Sequence, residues 1–239
     1  MLSPIQILTS NLLASAAQVS SAGGEDTSTL FDNNGESIWH SSLPSAVLTI
    51  TFAAARKTDC LILHNTNAAR VEIEYKTSSS DAAFTPFALS PSYTGGNIFY
   101  AFPSTLTAQV IQITFTPLSG NFYAGGLSLC ERLMTLDKAL SSVRPSSYFR
   151  GGHHYLASGA LIAWKDFSKL SFDISLSNVP QNTAQQLTAL LANNAFLTYA
   201  LYGGADAAFC KEFALSAPPV LNIERKTALC QIELTLLER

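Results

Sequence analysis

Charge is the first thing this sequence has little of. Only 13% of its 239 residues are Asp, Glu, Lys or Arg, against about 25% in an ordinary soluble domain. Either some of the surface is covered by other protein, or Ser, Thr and Asn supply the polar face. A basic stripe is missing as well. Lys and Arg number 14 against 17 Asp and Glu, a net charge of −3, which argues against binding nucleic acid, where cations must replace phosphate counterions. No apolar run reaches the roughly 18 residues of a membrane-spanning helix, so no membrane partner is expected. No Lys or Arg precedes Arg56. The Leu-rich start therefore lacks the basic end of a secretory signal, and the chain is expected to be made in the cytoplasm.

Catalytic signatures are absent too. The chain has no P-loop, no Gly-x-Ser-x-Gly elbow, no His-Glu-x-x-His and no dinucleotide fingerprint. Four cysteines, Cys60, Cys130, Cys210 and Cys230, form no Cys-x-x-Cys pair. They lie in apolar or strand-like stretches, so buried free thiols are expected rather than zinc ligands. Gly151-Gly152-His153-His154 is the most chemical-looking stretch. Adjacent strand residues point to opposite faces, which reads better as a basic interface loop, with Arg144 and Arg150 nearby, than as a metal pair. The sequence thus predicts no enzyme and no catalytic residue.

What is present, through the first half, is strand pattern. In 46–52, Leu48, Ile50 and Phe52 alternate with Val47, Thr49 and Thr51. Residues 60–64 are continuously apolar, as in a strand covered on both faces. In 71–75, Val71, Ile73 and Tyr75 face in, with Glu72 and Glu74 towards solvent. Further strands are expected over 97–102, 109–116 and 126–133, separated by Gly-, Ser-, Pro- and Asn-rich turns. Many short strands without a long amphipathic helix predict a β-sandwich.

The second half reads as α+β. Residues 160–177 give strand, turn, strand. A helix follows over 182–194, with Asn182 or Thr183 as cap, Ala184, Leu187, Leu190 and Leu191 as apolar stripe, and Asn193–Asn194 as its end. Strands over 195–204 and 228–238 complete it, with AAFCKEFALS and the Pro218-Pro219 break between. The charge balance shifts from −4 over 1–133 to +1 over 134–239. Two domains are expected: a sandwich over 1–135 and an α+β assembly domain over 145–239, joined by a linker at 136–144. The fold class is mainly β with one helix.

Two resemblances sharpen these expectations. Leu30-Phe31-Asp32, Trp39, Ile50, Phe52, Arg56, Leu61-Ile62, Asn65 and Ile73-Glu74-Tyr75 follow one another in the order seen in the discoidin-like, factor 5/8 type C family of galactose-binding-like sandwiches. The resemblance covers residues 10–133 and implies a jelly-roll sandwich binding sugars or lipids through loops at one end. It implies that Trp39 packs beneath the sandwich, its indole N–H reaching a loop carbonyl. It also implies that Asp32, Asn33, Asn34 and Glu36 offer oxygens to a structural Ca2+; the same residues read equally as a self-satisfied Asx turn. Trp39 with His40, and Tyr93 near Asn97, are the candidate sugar contacts, with core or rim packing as the other reading. The apolar spikes of membrane-binding members are not evident.

A second, more degenerate pattern runs through Gly126–Leu129, the linker to Pro145, Leu170–Leu176, the helix and Ile232–Glu238. It resembles proteins of bacteriophage or prophage tails. From the two together the sequence predicts a structural or adaptor component of a phage-derived particle, displaying a carbohydrate-binding-like domain. Its partners would be other copies of itself or other particle proteins, and carbohydrate. The alternative is a stand-alone carbohydrate-binding protein.

Overall fold

The computed structural model describes residues 5–32, 37–136, 140–156, 158, 160–201, 207–224 and 229–238. In chain order the strands are β1 (Ile5–Leu8), β2 (Gln18–Ser21), β3 (Trp39–His40), β4 (Ala46–Thr66), β5 (Ala68–Lys76), β6 (Thr85–Leu89), β7 (Gly96–Pro117), β8 (Tyr123–Ala124), β9 (Gly126–Cys130), β10 (Arg132–Leu136), β11 (Leu140–Tyr155) and β12 (Leu161–Pro180). Helix α1 (Gln181–Asn193) follows, then β13 (Leu197–Ala200), β14 (Cys210–Leu215), β15 (Val220–Glu224) and β16 (Leu229–Glu238). The molecule is mainly β, a sandwich followed by a smaller α+β part, as expected.

The chain divides into two compact units. One comprises Ile5–Thr135 with Thr198–Lys211; the other comprises Leu136–Leu197 with Glu212–Arg239. Residues 198–211, read from sequence with the second half, therefore group with the first. The stretch read as a linker contains strand from Leu140 onward.

In the N-terminal unit the strands pair in the order β2-β4-β7-β5-β6, and β9 adds to β4. The sequence suggested separate strands at 46–52 and 60–64, and at 97–102 and 109–116. Each pair is instead one long strand, β4 and β7. Register shifts after Thr51 and after Thr58 bend their antiparallel ladder. Both halves therefore turn their inner faces into one core. Leu48, Ile50 and Phe52 from the first half of β4 meet Leu61 and Leu63 from the second, and β7 contributes Ile98, Tyr100, Ile111, Ile113 and Phe115. The outer face of the second half is covered as well. Cys60 and Ile62 pack with Leu8, Cys130, Ala200, Ala207 and Cys210. This two-sided cover is what the unbroken apolar run at 60–63 required.

All four cysteines are buried free thiols. Cys60 stands opposite Cys130 across the β4–β9 ladder. The neighbouring Cys130 thiol and burial together push the Cys60 thiol well above the ordinary range. Such a group is chemically quiet, because the reactive species is the thiolate.

In the C-terminal unit β12 pairs with β11 on one edge and β16 on the other, and β14 and β15 pair in succession along the far edge of β16. Residues 161–180 form one strand, not strand–turn–strand, and His153–His154 lie inside β11 opposite Ala163 and Ile162 rather than in a loop. Helix α1 packs on β12 and β16. Its buried stripe is Ala184, Leu187 and Leu191. Neither expected residue caps the start. The N-cap is Pro180, with no side-chain hydrogen bond, and the Asn182 side chain accepts instead from the Thr183 N–H at 2.8 Å. At the far end Asn194 donates to the Leu190 carbonyl, 2.8 Å.

Candidate functional site

One end of the sandwich is built around the turn between β4 and β5. Asn65 turns the chain with φ +45°, a conformation Asn tolerates better than most residues. Asn67, next but one, is buried and holds the loop before β8. Its side-chain N–H groups donate to the carbonyls of Ser119 (3.1 Å) and Asn121 (2.9 Å), and its oxygen accepts from the Tyr123 N–H (2.9 Å). Thr66 donates from its hydroxyl to the Tyr123 carbonyl, 2.8 Å. Asn121 then reaches the carbonyls of Ser41 and Ser42 at 3.1 and 3.3 Å, tying in the loop after β3. A fourth segment joins through Asn97, whose side-chain oxygen accepts from the Asn65 N–H at 3.0 Å. Gly95 (φ +77°) must be glycine here, since a Cβ would lie 2.8 Å from the Thr66 carbonyl. Buried polar groups satisfied this fully fix a surface rather than a flexible rim.

Glu25 extends the brace. Its carboxylate accepts from the Ser42 N–H at 2.6 Å and from the Ser21 hydroxyl. The hydrogen bonds from Ser21 and Ser42 hold its pKa down at about 2, so it stays ionised through the acidic range.

On this frame stands an aromatic pair. β3 and β8 form a two-residue ladder, with His40 opposite Tyr123, and their rings lie 5.9 Å apart, tilted by 44°. His40, Asn65, Asn97 and Asn121 are exposed, and Tyr123 is half-buried. An aromatic face beside side-chain amides is the chemistry that recognises a polyol: C–H groups pack on the ring while amides pair with hydroxyls.

The expected site residues separate. Asn97 bonds the Asn65–Asn67 turn directly, whereas His40 is connected to it through Tyr123, which it faces across the β3–β8 ladder. Tyr93 is half-buried, its N–H bonded to the Ala69 carbonyl, and burial raises its phenol pKa. Trp39 belongs to the core, at 3% exposure, packed against Phe122 with ring centroids 6.1 Å apart. Among the described residues its indole N–H finds no hydrogen-bond partner, where a loop carbonyl was expected. Tyr123 and Asn121, which sequence reasoning passed over, are the residues found next to His40: Tyr123 stands opposite it across the β3–β8 ladder, and Asn121 donates to the Ser41 carbonyl. The Ser-Gly-Asn-Phe-Tyr turn after β7 was their only signal. Of the cation residues, Asp32 is exposed, while Asn33, Asn34 and Glu36 lie outside the described residues. Among the described residues, no three His, Cys, Asp or Glu side chains gather as a metal site.

No family model and no curated protein matches the chain. Solved structures do. Chitosan-binding module 1 of a chitosanase/glucanase from Paenibacillus sp. IK-5 is 15% identical, with a TM-score of 0.42, over 50% of this chain and 97% of that one. The family 32 carbohydrate-binding module of NanJ from C. perfringens, solved with galactose, is 19% identical, with a TM-score of 0.42, over 53% of this chain and 99% of that one. The paired CBM32 domains of Clostridium perfringens ZmpB are 15% identical, with a TM-score of 0.44, over 52% of this chain and 37% of that one. All three are likenesses of fold at low identity.

Proposed function

We propose that the N-terminal unit is a carbohydrate-binding module, and that the protein acts by holding a glycan rather than by transforming it. The observation that carries this reading is the His40–Tyr123 ring pair, with His40 exposed and Tyr123 half-buried, at the end of the sandwich that also presents Asn65, Asn97 and Asn121, on loops locked together by Asn67. Loops held in place in this way suit a sugar ligand, because little ordering cost remains at binding. Of the two readings the sequence left open, this one is the stand-alone binder.

A glycan array probed with the full chain, followed by calorimetry on the best ligand, tests the proposal. Galactose and chitosan oligosaccharides, the ligand types named for the proteins above, are the first probes. Tyr123→Ala removes half of the aromatic pair and should weaken binding about tenfold, or ~1.4 kcal/mol. Trp39→Phe, a change in the core, should leave affinity intact in the fraction that folds. Absence of binding across the array, or an unchanged affinity for Tyr123→Ala, would overturn the reading.

A further inference from the structure

β4 and β9 run antiparallel from His64 opposite Gly126 to Cys60 opposite Cys130. The two cysteines close the end of this ladder away from the Asn65 turn. Both are buried, and both pack in the small cluster with Leu8, Ile62, Ala200 and Ala207. The neighbours of Cys130 define how it faces β4. Leu129 gives its N–H to the Asn11 side chain (3.1 Å), and Glu131 bonds Thr9 through its N–H (3.0 Å) and its carbonyl (2.9 Å). Main-chain groups alternate between the two edges of a strand, so those of Cys130 turn to β4 and make it a hydrogen-bonded partner of Cys60. The Cys60 Sγ lies 3.7 Å from the Cys130 carbonyl.

This register suits a covalent bond. Opposed residues of a hydrogen-bonded antiparallel pair have Cα atoms about 5.5 Å apart, close to the commonest separation across a disulfide. Their Cβ atoms start about 1 Å further apart than a disulfide allows, so the bond draws β4 and β9 together at this point. The other two cysteines are placed differently. The Cys210 carbonyl is bonded to the His64 imidazole at 3.1 Å, towards the opposite end of the ladder. Cys230 belongs to the C-terminal unit.

We infer that Cys60 and Cys130 form a redox-dependent staple, joined as a disulfide when the chain folds in an oxidising compartment and left as thiols in a reducing one. The oxidant is a small-molecule disulfide. One protein thiolate attacks it, which releases the first small thiol and leaves a mixed disulfide on the protein. The second protein thiolate attacks that protein sulfur and releases the other small thiol. One S–S bond breaks and one forms; the protein thiols lose two electrons, and their two protons end on the two small thiols. The exchange belongs to folding. Once Ala200, Ala207 and Cys210 cover the pair, reagents no longer reach it, and burial with the neighbouring thiol keeps Cys60 in its unreactive protonated form.

Counting thiols on the full chain, by alkylation in denaturant and intact mass, reads the outcome. After refolding with oxidised and reduced glutathione, two of the four cysteines take up the reagent, and a peptide map joins Cys60 to Cys130. The melting midpoint rises by about 5 °C, because the bond closes a long loop in the unfolded chain. The chain folded first under reducing conditions, then given the same glutathione mixture, keeps all four thiols. A double variant, Cys210→Ala with Cys230→Ala, still cross-links, whereas Cys130→Ala does not. Four alkylated cysteines after oxidative refolding overturn the inference. So does a cross-link between any other two cysteines, or oxidation of the folded chain as fast as of the refolding one.

Discussion

Thr58 and Asp59, neighbours at the bend of β4, show how differently two buried polar residues are treated. The Asp59 carboxylate accepts from the Thr105 hydroxyl at 2.6 Å and from the Arg132 N–H at 2.8 Å, and the Arg132 guanidinium lies 3.9 Å away. The Thr58 hydroxyl is fully buried and has no partner among the described residues. An unpaired buried hydroxyl costs about 1–3 kcal/mol of desolvation. Replacing it by a methyl of the same shape removes that cost without opening a cavity. Thr58→Val should therefore stabilise the protein by about 1 kcal/mol in urea titration, with the slope unchanged. A destabilised variant would show that the hydroxyl does find a partner. Neither Thr58 nor the unpaired Trp39 indole was legible beforehand, because a hydrogen-bond partner depends on where a distant loop passes.

Periodicity located helix α1 to within a residue, yet its stripe was drawn one residue too wide. Leu187 is fully buried, whereas Leu190 is only half-buried. The helix faces β12 and β16 through Ala184, Leu187 and Leu191, a spacing of three and four that sets Leu190 at the margin. A charge at the two positions should separate them. Leu187→Asp buries a carboxylate without a partner and should cost more than about 4 kcal/mol, removing the helix signal by circular dichroism. Leu190→Asp can turn its carboxylate to water and should cost less than about 2 kcal/mol. Equal effects would mean the helix is rotated from the position described here. The strands tell a related story. The sequence marked the apolar stretches of β4, β7 and β12 correctly but broke each one in two. A bulge, which keeps such a strand continuous, exists only in register with its partner, and no single strand records it.

For the whole molecule, the chain path matters more than the composition of its halves. Residues 198–211 return to the N-terminal unit. There β13 pairs with β1, Ala200 opposite Gln6, and Ala200, Ala207 and Cys210 cover Leu8, Cys60, Ile62 and Cys130. A fragment ending at residue 135 therefore lacks one side of the cover over β4 and β9. It should melt well below the full chain and bind a hydrophobic dye, since each uncovered apolar side chain forfeits about 1.5–3 kcal/mol. A fragment as stable as the full chain would show that the segment is dispensable.

The sequence by itself determined the class of fold, the placement of most strands and of the helix, the free buried thiols, and the acidic-to-neutral shift between its halves. Those features follow from residue chemistry read at a period of two or of 3.6, and they need no knowledge of what lies opposite. Which aromatic residue came to the surface was decided only in three dimensions. Trp39 and Tyr123 sit on paired two-residue strands, and the Asn67 hydrogen bonds that hold the loop before β8 span more than fifty residues of chain. Burial is a property of the neighbours that folding brings together, and those neighbours are far apart in the sequence.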